Sequence, residues 1–270
     1  MTILIVRVVP EGIIFGADRN ITETRIKNSS GGNIKTLSTG QSQSPKVLKW
    51  PNDKAIIGYA GVASIAQQPT EEWLFNFIGR NLDFPDFNTL AHKLREEIEN
   101  QRKIDEGSES ADALLIHIGG FEERHSQILP TIWYIRNASI LKKGKYYGIT
   151  KSFICDDPFW QTLKEFDNES KVSFIKKIIK GLADSFNPFG FQQGIDLEIF
   201  NMIEYSVRLA NKLIENNVYP EFSTPQDLES WKKYIKWTIL SYSAFYQTFN
   251  PPGEQYVGGG VDIVSLKWPQ

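Results

Sequence analysis

Thr2-Ile3-Leu4-Ile5-Val6-Arg7-Val8-Val9-Pro10-Glu11-Gly12-Ile13-Ile14-Phe15-Gly16-Ala17-Asp18-Arg19 holds two apolar runs around Glu11-Gly12. The first, Thr2 to Val9, is almost entirely apolar and β-branched. The second, Ile13 to Ala17, has no polar alternation. A strand with one wet face alternates apolar and polar residues, so the pattern predicts a hairpin buried on both faces. It ends on Asp18 and Arg19.

Outward from this hairpin, residues Thr22 to Ser44 are polar around Ser29-Ser30-Gly31-Gly32 and read as a long excursion. Lys46 to Trp50 and Ala55 to Tyr59 form a second strand pair about the turn Pro51-Asn52-Asp53. Trp73, Phe77 and Ile78 mark one helix, and Leu90, Leu94 and Ile98 a second. Strands return at Ala113 to Ile118 and Ile132 to Arg136, with a polar loop expected between them. From Phe159 the spacing is helical. One stripe is Val172, Ile175, Ile178, Ile179 and Leu182; another is Ile199, Ile203, Val207, Ala210 and Leu213; a third is Leu228, Trp231, Ile235 and Ile239. Residues Gly260 to Leu266 read as a last strand. Strands apolar on both faces, with helices between and after them, suit two stacked sheets covered outside by helices. The expectation is an α+β, four-layer αββα sandwich. Neither an internal repeat nor a linker divides residues 1–270, so one domain is expected. Its insertions lie at approximately 23–44 and, helical, at 150–225.

Composition narrows the function classes. A formal net charge of −2 supplies no basic field for nucleic acid or anionic lipid. Lys142, Lys143 and Lys145 form the densest basic patch and read as a solvated turn. Cys155 is alone, which removes an intrachain disulfide and a cysteine-rich metal site. His92, His117 and His125 lack ligand spacing, so neither a metal nor another cofactor is expected. No apolar run reaches the roughly 18 residues of a membrane span. No basic region precedes an apolar core at the N-terminus, as a signal peptide would require. A cytoplasmic setting is the expectation.

Chemistry enters at Thr2. A threonine hydroxyl is a weak nucleophile that needs a base, and a free α-amine on the same residue can serve. That amine has an ordinary pKa of about 7.7–8.0, so part of it is neutral near pH 7. Threonine after an initiator methionine is small enough for the methionine to be removed. Asp18 follows Thr2 by sixteen residues, in Gly16-Ala17-Asp18-Arg19. Lys46 opens Lys46-Val47-Leu48, and Gly61 closes Gly58-Tyr59-Ala60-Gly61.

With these residues in this order, the sequence resembles the proteasome β-subunit family of N-terminal-nucleophile (Ntn) hydrolases. It also resembles the bacterial ring peptidase that works with a separate unfoldase ATPase, above all in Asn52-Asp53-Lys54-Ala55-Ile56-Ile57-Gly58-Tyr59-Ala60-Gly61. The likeness is strong over residues 2–65, fair over roughly 66–148, weak between about 150 and 250, and returns at Tyr256 to Leu266. The resemblance implies a threonine peptidase working through a Thr2 acyl-enzyme. Thr2 would supply hydroxyl and amine, Lys46 a cation beside the hydroxyl, and Asp18 the partner that orients Lys46. The Gly61 N–H would donate to the oxyanion. Thr22 would pair with the substrate main chain, and Ile21, Ser44, Tyr59 and Ala63 would line the adjoining pocket. Glu254, Tyr256 and Gly258 would order the amine.

The chain departs from the family at Val257, which stands where a serine usually helps order the amine, and Glu254 stands where the family has aspartate. Thr150 and Ser152 are candidates for a second family serine. The resemblance further implies a peptide or unfolded-protein substrate, a homo-oligomeric ring, and an ATPase unfoldase as partner. Two other functions suit the same residues. One is acyl transfer to an amine, giving a peptide ligase or amidase. The other is a non-catalytic scaffold or binding protein, for which Val257 argues and the set Thr2, Asp18 and Lys46 argues against. Because Ile21 and Tyr59 are large, the pocket implied for the residue before the cut is shallow. A peptide-library profile should therefore show small residues preferred over aromatic ones there, and phenylalanine as the favoured residue would contradict this.

Overall fold

Every residue of Leu4–Val9 (β1) and Gly12–Asp18 (β2) is buried. The two faces enter different apolar clusters. Leu4, Val6, Val8, Ile13, Phe15 and Ala17 point one way; Ile3, Ile5, Val9 and Ile14 point the other. Side chains alternate along a strand, so a hairpin packed on both faces is apolar at every position. Each fully buried Leu, Ile, Val or Phe contributes about 1.5–3 kcal/mol over an exposed one. The computed structural model describes residues 3–27, 36–61, 64–104, 113–124, 126–138, 140–142, 145–147, 152–157, 189–193, 212, 216, 225–249 and 258–269.

Within them follow β3 (Asn20–Lys27), β4 (Thr36–Gln43), β5 (Val47–Lys49), β6 (Ala55–Gly61), β7 (Ser64–Ile65) and β8 (Gln68–Pro69). Helices α1 (Thr70–Arg80) and α2 (Phe87–Ile104) precede β9 (Leu114–Arg124), β10 (Gln127–Arg136), β11 (Ile140–Lys142), β12 (Lys145–Tyr147) and β13 (Ile154–Asp156). Then come β14 (Phe189–Gln193), α3 (Leu228–Phe249) and β15 (Val261–Lys267). The fold is mixed α/β. One sheet has the order β14-β1-β2-β15 and the other β13-β10-β9-β6-β5, with antiparallel neighbours throughout.

Three apolar clusters relate these elements. Leu4, Val6 and Phe15 of the first sheet meet Ile56, Ala60, Ile132 and Tyr134 of the second. The other face of the second sheet, with Ile57, Tyr59, Ile116 and Ile118, packs on Trp73, Phe77, Leu90, Leu94 and Ile98 of α1 and α2. The other face of the first sheet packs on Trp231, Ile235, Ile239 and Tyr242 of α3. The helices start where the chain supplies first-turn partners. Asp86 accepts from the Thr89 N–H at 2.7 Å, and Asp227 accepts from the Ser230 N–H at 2.7 Å. Glu71 and Glu72 complement the N-terminal dipole of α1. A Cβ at Gly58 would stand 2.7 Å from Leu4 Cδ1 in the neighbouring sheet, so a side chain there would require Leu4 to move.

The strand pairs and helices expected over 4–18, 46–60, 73–78, 90–98 and 228–239 all occur. Two expectations need correction. The polar loop between the middle strands is instead continuous hairpin, with Gln127 opposite Arg124. Two of its polar residues are paired: Arg124 Nε donates to Glu122 Oε2 at 2.7 Å and Nη2 to Asp157 Oδ2 at 2.9 Å. The stretch expected to be helical between 150 and 225 contributes β14, which pairs with β1 from Leu4↔Gln193 to Val8↔Phe189. Phe189, Gly190 and Phe191 carry a two-residue period too short to stand out against flanking helical spacing. The stripe Val172, Ile175, Ile178, Ile179 and Leu182, the stripe Ile199, Ile203, Val207, Ala210 and Leu213, and His125 lie outside the described residues. The excursion after β2 takes the form of the β3–β4 hairpin, from Asn20↔Gln43 to Lys27↔Thr36. Lys142 pairs with Lys145 across β11 and β12, and Lys143 of the basic patch lies outside the described residues.

His117 is the costly residue of the core. It is 1% exposed, stacks on Tyr134 with ring centroids 4.1 Å apart, and neither ring nitrogen has a hydrogen-bond partner. Burial, reinforced by the Arg136 charge, pulls its pKa down to about 3. The native imidazole is therefore neutral, while the unfolded chain takes up a proton below about pH 6.5. The sign follows: the unfolded state binds more protons between about pH 6.5 and 3, so stability falls as pH falls through that window. Denaturation of wild type and His117→Gln across pH 7 to 3.5 should show the variant gaining relative to wild type by up to about 1.4 kcal/mol per pH unit. A pH-independent difference would refute this.

Candidate active site

Asp18 ends β2 with its carboxylate fully buried. Its Oδ1 accepts from the Ile3 N–H at 2.7 Å, and its Oδ2 accepts from the Gly258 N–H at 3.4 Å. Oδ2 also lies 3.5 Å from Lys46 Nζ. Lys46, in the residue before β5, is 1% exposed, so it is not one of the ordinary surface lysines. Lys49 and Lys54 are exposed, and Lys49 pairs with Asp53 at 2.8 Å. Lys46 Nζ also donates to the Asn20 carbonyl. The ion pair bridges the first sheet to the second, because β2 and β5 belong to different sheets.

Burial governs the electrostatics. It raises the Asp18 pKa, against the opposing pull of the Lys46 charge and of the Ile3 and Gly258 N–H donors. It lowers the Lys46 pKa, against the opposing pull of Asp18 and, more weakly, Asp262. The two shifts bring the proton affinities of the carboxylate and the amine toward each other. A buried lysine in this state loses its proton at a lower pH than a surface one.

The backbone around the pair is fixed by its neighbours. The Lys46 carbonyl accepts from the Tyr59 N–H at 3.0 Å, which ties Lys46 to β6. Gly61 lies two residues further along β6, roughly 7 Å at the rise of a strand. Its φ of +109° is left-handed, and a Cβ there would stand 2.0 Å from the Ala113 carbonyl oxygen. Only glycine fits, on both counts. Gly258 and Gly259 also have positive φ, of 149° and 75°. They form the tight turn into β15, and the Gly258 carbonyl accepts from the Asn20 N–H at 3.2 Å.

The remaining expected residues divide sharply. Tyr59 lies in the cluster beneath α1, and its hydroxyl donates to Glu71 Oε2 at 3.3 Å. Burial, with the Glu71 charge, raises its pKa above the ordinary tyrosine range. Ser44 is buried, and its N–H donates to the Arg19 carbonyl at 3.1 Å. Ile21 and Thr22 lie on β3, opposite Ser42 and Gln41. Ser152 is exposed. Thr2, Ala63, Thr150, Glu254, Tyr256 and Val257 lie outside the described residues. Ile3 N, the atom to which Thr2 is bonded, is the donor held by Asp18. Sequence reasoning missed two groups. The Asn20 carbonyl is backbone and leaves no signal in the side-chain sequence. Asp262 is the lone carboxylate in the otherwise apolar stretch Val261-Asp262-Ile263-Val264, and that is a readable signal. No cluster of three or more histidine, cysteine, aspartate or glutamate side chains suited to a metal occurs among the described residues. No described helix is long and apolar enough to cross a membrane.

Neither a protein-family model nor a curated protein matches the sequence. Among solved structures, the chain is similar to the Anbu (Gly-1) mutant from Hyphomicrobium sp. strain MC1, with 14% identity over 99% of this chain and 82% of that chain, at a TM-score of 0.46.

The Gly61 geometry generates a direct test. Gly61→Ala should lower stability by at least about 1–2 kcal/mol, the cost of a left-handed conformation in a residue with a Cβ, and more if Ala113 must move. Gly79→Ala is the control, because a Cβ at Gly79 meets nothing within 4 Å. Urea denaturation compares the two, and equal midpoints would contradict the assigned geometry.

Proposed function

We propose that this chain is an N-terminal threonine hydrolase of the proteasome type, a peptidase built on a four-layer αββα sandwich. The observation that carries the proposal is the fully buried Asp18–Lys46 pair, 3.5 Å apart, with Asp18 also holding the N–H of the residue after Thr2. A buried ion pair contributes little net stability compared with apolar residues of the same volume. A pair of this kind, holding the N–H of the residue bonded to Thr2, suits chemistry better than packing.

In this reading Met1 is removed and the Thr2 α-amine takes the proton of the Thr2 hydroxyl. The hydroxyl oxygen attacks the peptide carbonyl carbon, and Lys46 stabilises the developing alkoxide. Asp18 holds Lys46 in place. The Gly61 N–H donates to the oxyanion of the tetrahedral intermediate; loss of one such donor costs roughly 10²–10³ in rate in other hydrolases. The C–N bond then breaks, the leaving amine takes the proton, and a Thr2 ester remains. Water attacks that ester, releases the acid and restores the hydroxyl. The sequence resemblance extends the proposal to a homo-oligomeric ring fed by an unfoldase ATPase.

The test is covalent labelling with a peptide β-lactone, which opens on a nucleophilic hydroxyl and adds its whole mass. Intact mass should show Met1 absent and one adduct, mapped to Thr2. Lys46→Ala should abolish the adduct with the far-ultraviolet circular dichroism unchanged, and Asp18→Asn should slow it roughly tenfold, the effect of one pKa unit. Retained Met1, or labelling of Lys46→Ala at the wild-type rate, would sink the proposal.

A further inference from the structure

Asp262 stands on β15 opposite Ala17 of β2, and it is buried. Both of its oxygens are engaged. Oδ1 accepts from Arg19 Nε at 2.6 Å and lies 2.5 Å from Arg19 Nη2. Oδ2 accepts from the backbone N–H of Lys46 at 3.1 Å. The Lys46 carbonyl accepts from the Tyr59 N–H of β6, while the Lys46 N–H is taken by the Asp262 carboxylate of β15. Without Asp262 that N–H would be a buried donor without this acceptor, and the backbone that aims the Lys46 side chain would lose one of its ties to the first sheet.

Arg19 completes the brace. Its N–H donates to the Gly260 carbonyl at 2.8 Å, and its carbonyl accepts from the Ser44 N–H at 3.1 Å. The Arg19 side chain keeps 44% exposure while its guanidinium orients the Asp262 carboxylate. Asp262 thus joins the end of β2, the approach to β5 and the start of β15 at one carboxylate. It touches Lys46 through the backbone and not at Nζ, so it stands one step removed from the reacting atoms.

We infer that Asp262, clamped by Arg19, is the positioning residue for Lys46: it sets the aim of the Lys46 ammonium at Asp18 and the Thr2 hydroxyl. The inference rests on the threonine-hydrolase reading. Because Asp262 acts on the aim of Lys46 and not on substrate contacts, its loss should reduce the limiting rate of Thr2 acylation and leave the half-saturating probe concentration alone. It should also shift the pH dependence of that limiting rate, because the Asp262 charge contributes to the proton affinity of Lys46.

The experiment measures β-lactone labelling of full-length protein as a function of probe concentration and pH. It compares wild type, Asp262→Ala, Asp262→Asn and Arg19→Gln. The asparagine variant keeps an acceptor for the Lys46 N–H and safeguards against a folding defect in the alanine variant. Expected are a limiting rate lowered roughly 10- to 100-fold in Asp262→Ala, the size of losing a hydrogen bond to a charged group, and a smaller loss in Asp262→Asn and Arg19→Gln. The half-saturating concentration should stay within about twofold, and the pH profile of the asparagine variant should shift. If wild type labels at Thr2 and the folded Asp262 variants match its limiting rate and pH profile, the inference is overturned while the hydrolase reading stands. A change confined to the half-saturating concentration overturns it equally. An unlabelled Thr2 in wild type overturns both.

Discussion

The buried Asp18–Lys46 contact is the constraint around which the rest of the site is arranged. Two opposite charges removed from water cost several kcal/mol each before their attraction is counted. Their separation of 3.5 Å is too long for the strongest charge-assisted hydrogen bond. The surroundings make up the difference: two backbone N–H groups on Asp18, and the Asn20 carbonyl on Lys46. The charges therefore survive burial because the backbone on either side has been turned to face them. The same turning explains the glycine at 258, whose φ of +149° places its N–H at Asp18 and its carbonyl at Asn20.

This arrangement also explains why two sheets are needed. Asp18 belongs to the sheet containing β1 and β2, whereas Lys46 leads into β5 at the edge of the other. Apolar contact between Leu4, Phe15, Ile56 and Ala60 sets the distance between those sheets. Gly58 allows the close approach, since a Cβ there would press on Leu4 and Phe15. Packing thus decides the spacing, and the charged side chains occupy a gap they did not create. A side chain added at Gly58 would act on the ion pair without touching it, by widening that gap.

Most of this was legible in the sequence because the signals were local. Two apolar runs around Glu11-Gly12 define β1 and β2, and stripes such as Leu90, Leu94 and Ile98 define helices. Asp18, Lys46 and Gly61 stood out by type and order, and the first two meet as expected. What was not legible depended on pairing between distant segments. Nothing in Phe189–Gln193 announces an edge strand on β1, because an edge is defined by its partner. Nothing in Glu122 and Arg124 announces strand, because their polarity is answered by each other and by Asp157. Tyr59 could be identified as large but not as pointing beneath α1 to Glu71, since a strand residue's face is fixed by register.

The site is also non-local in a way that bears on when it can work. Asp18 takes one donor from Ile3 and another from Gly258, and Lys46 takes the acceptor Asp262. Residues from both ends of the described chain must therefore be in place before either charge is fully compensated. A partly folded chain lacking β15 would expose Asp18 on one side and leave the Lys46 N–H without its carboxylate. In that state water would solvate both charges, and their proton affinities would return toward ordinary values. The pair is consequently compensated in full only in the finished fold, with β15 paired along β2 from Val261↔Asp18 to Lys267↔Gly12. A nucleophile that depends on this pair would stay silent until the last strand had closed over it.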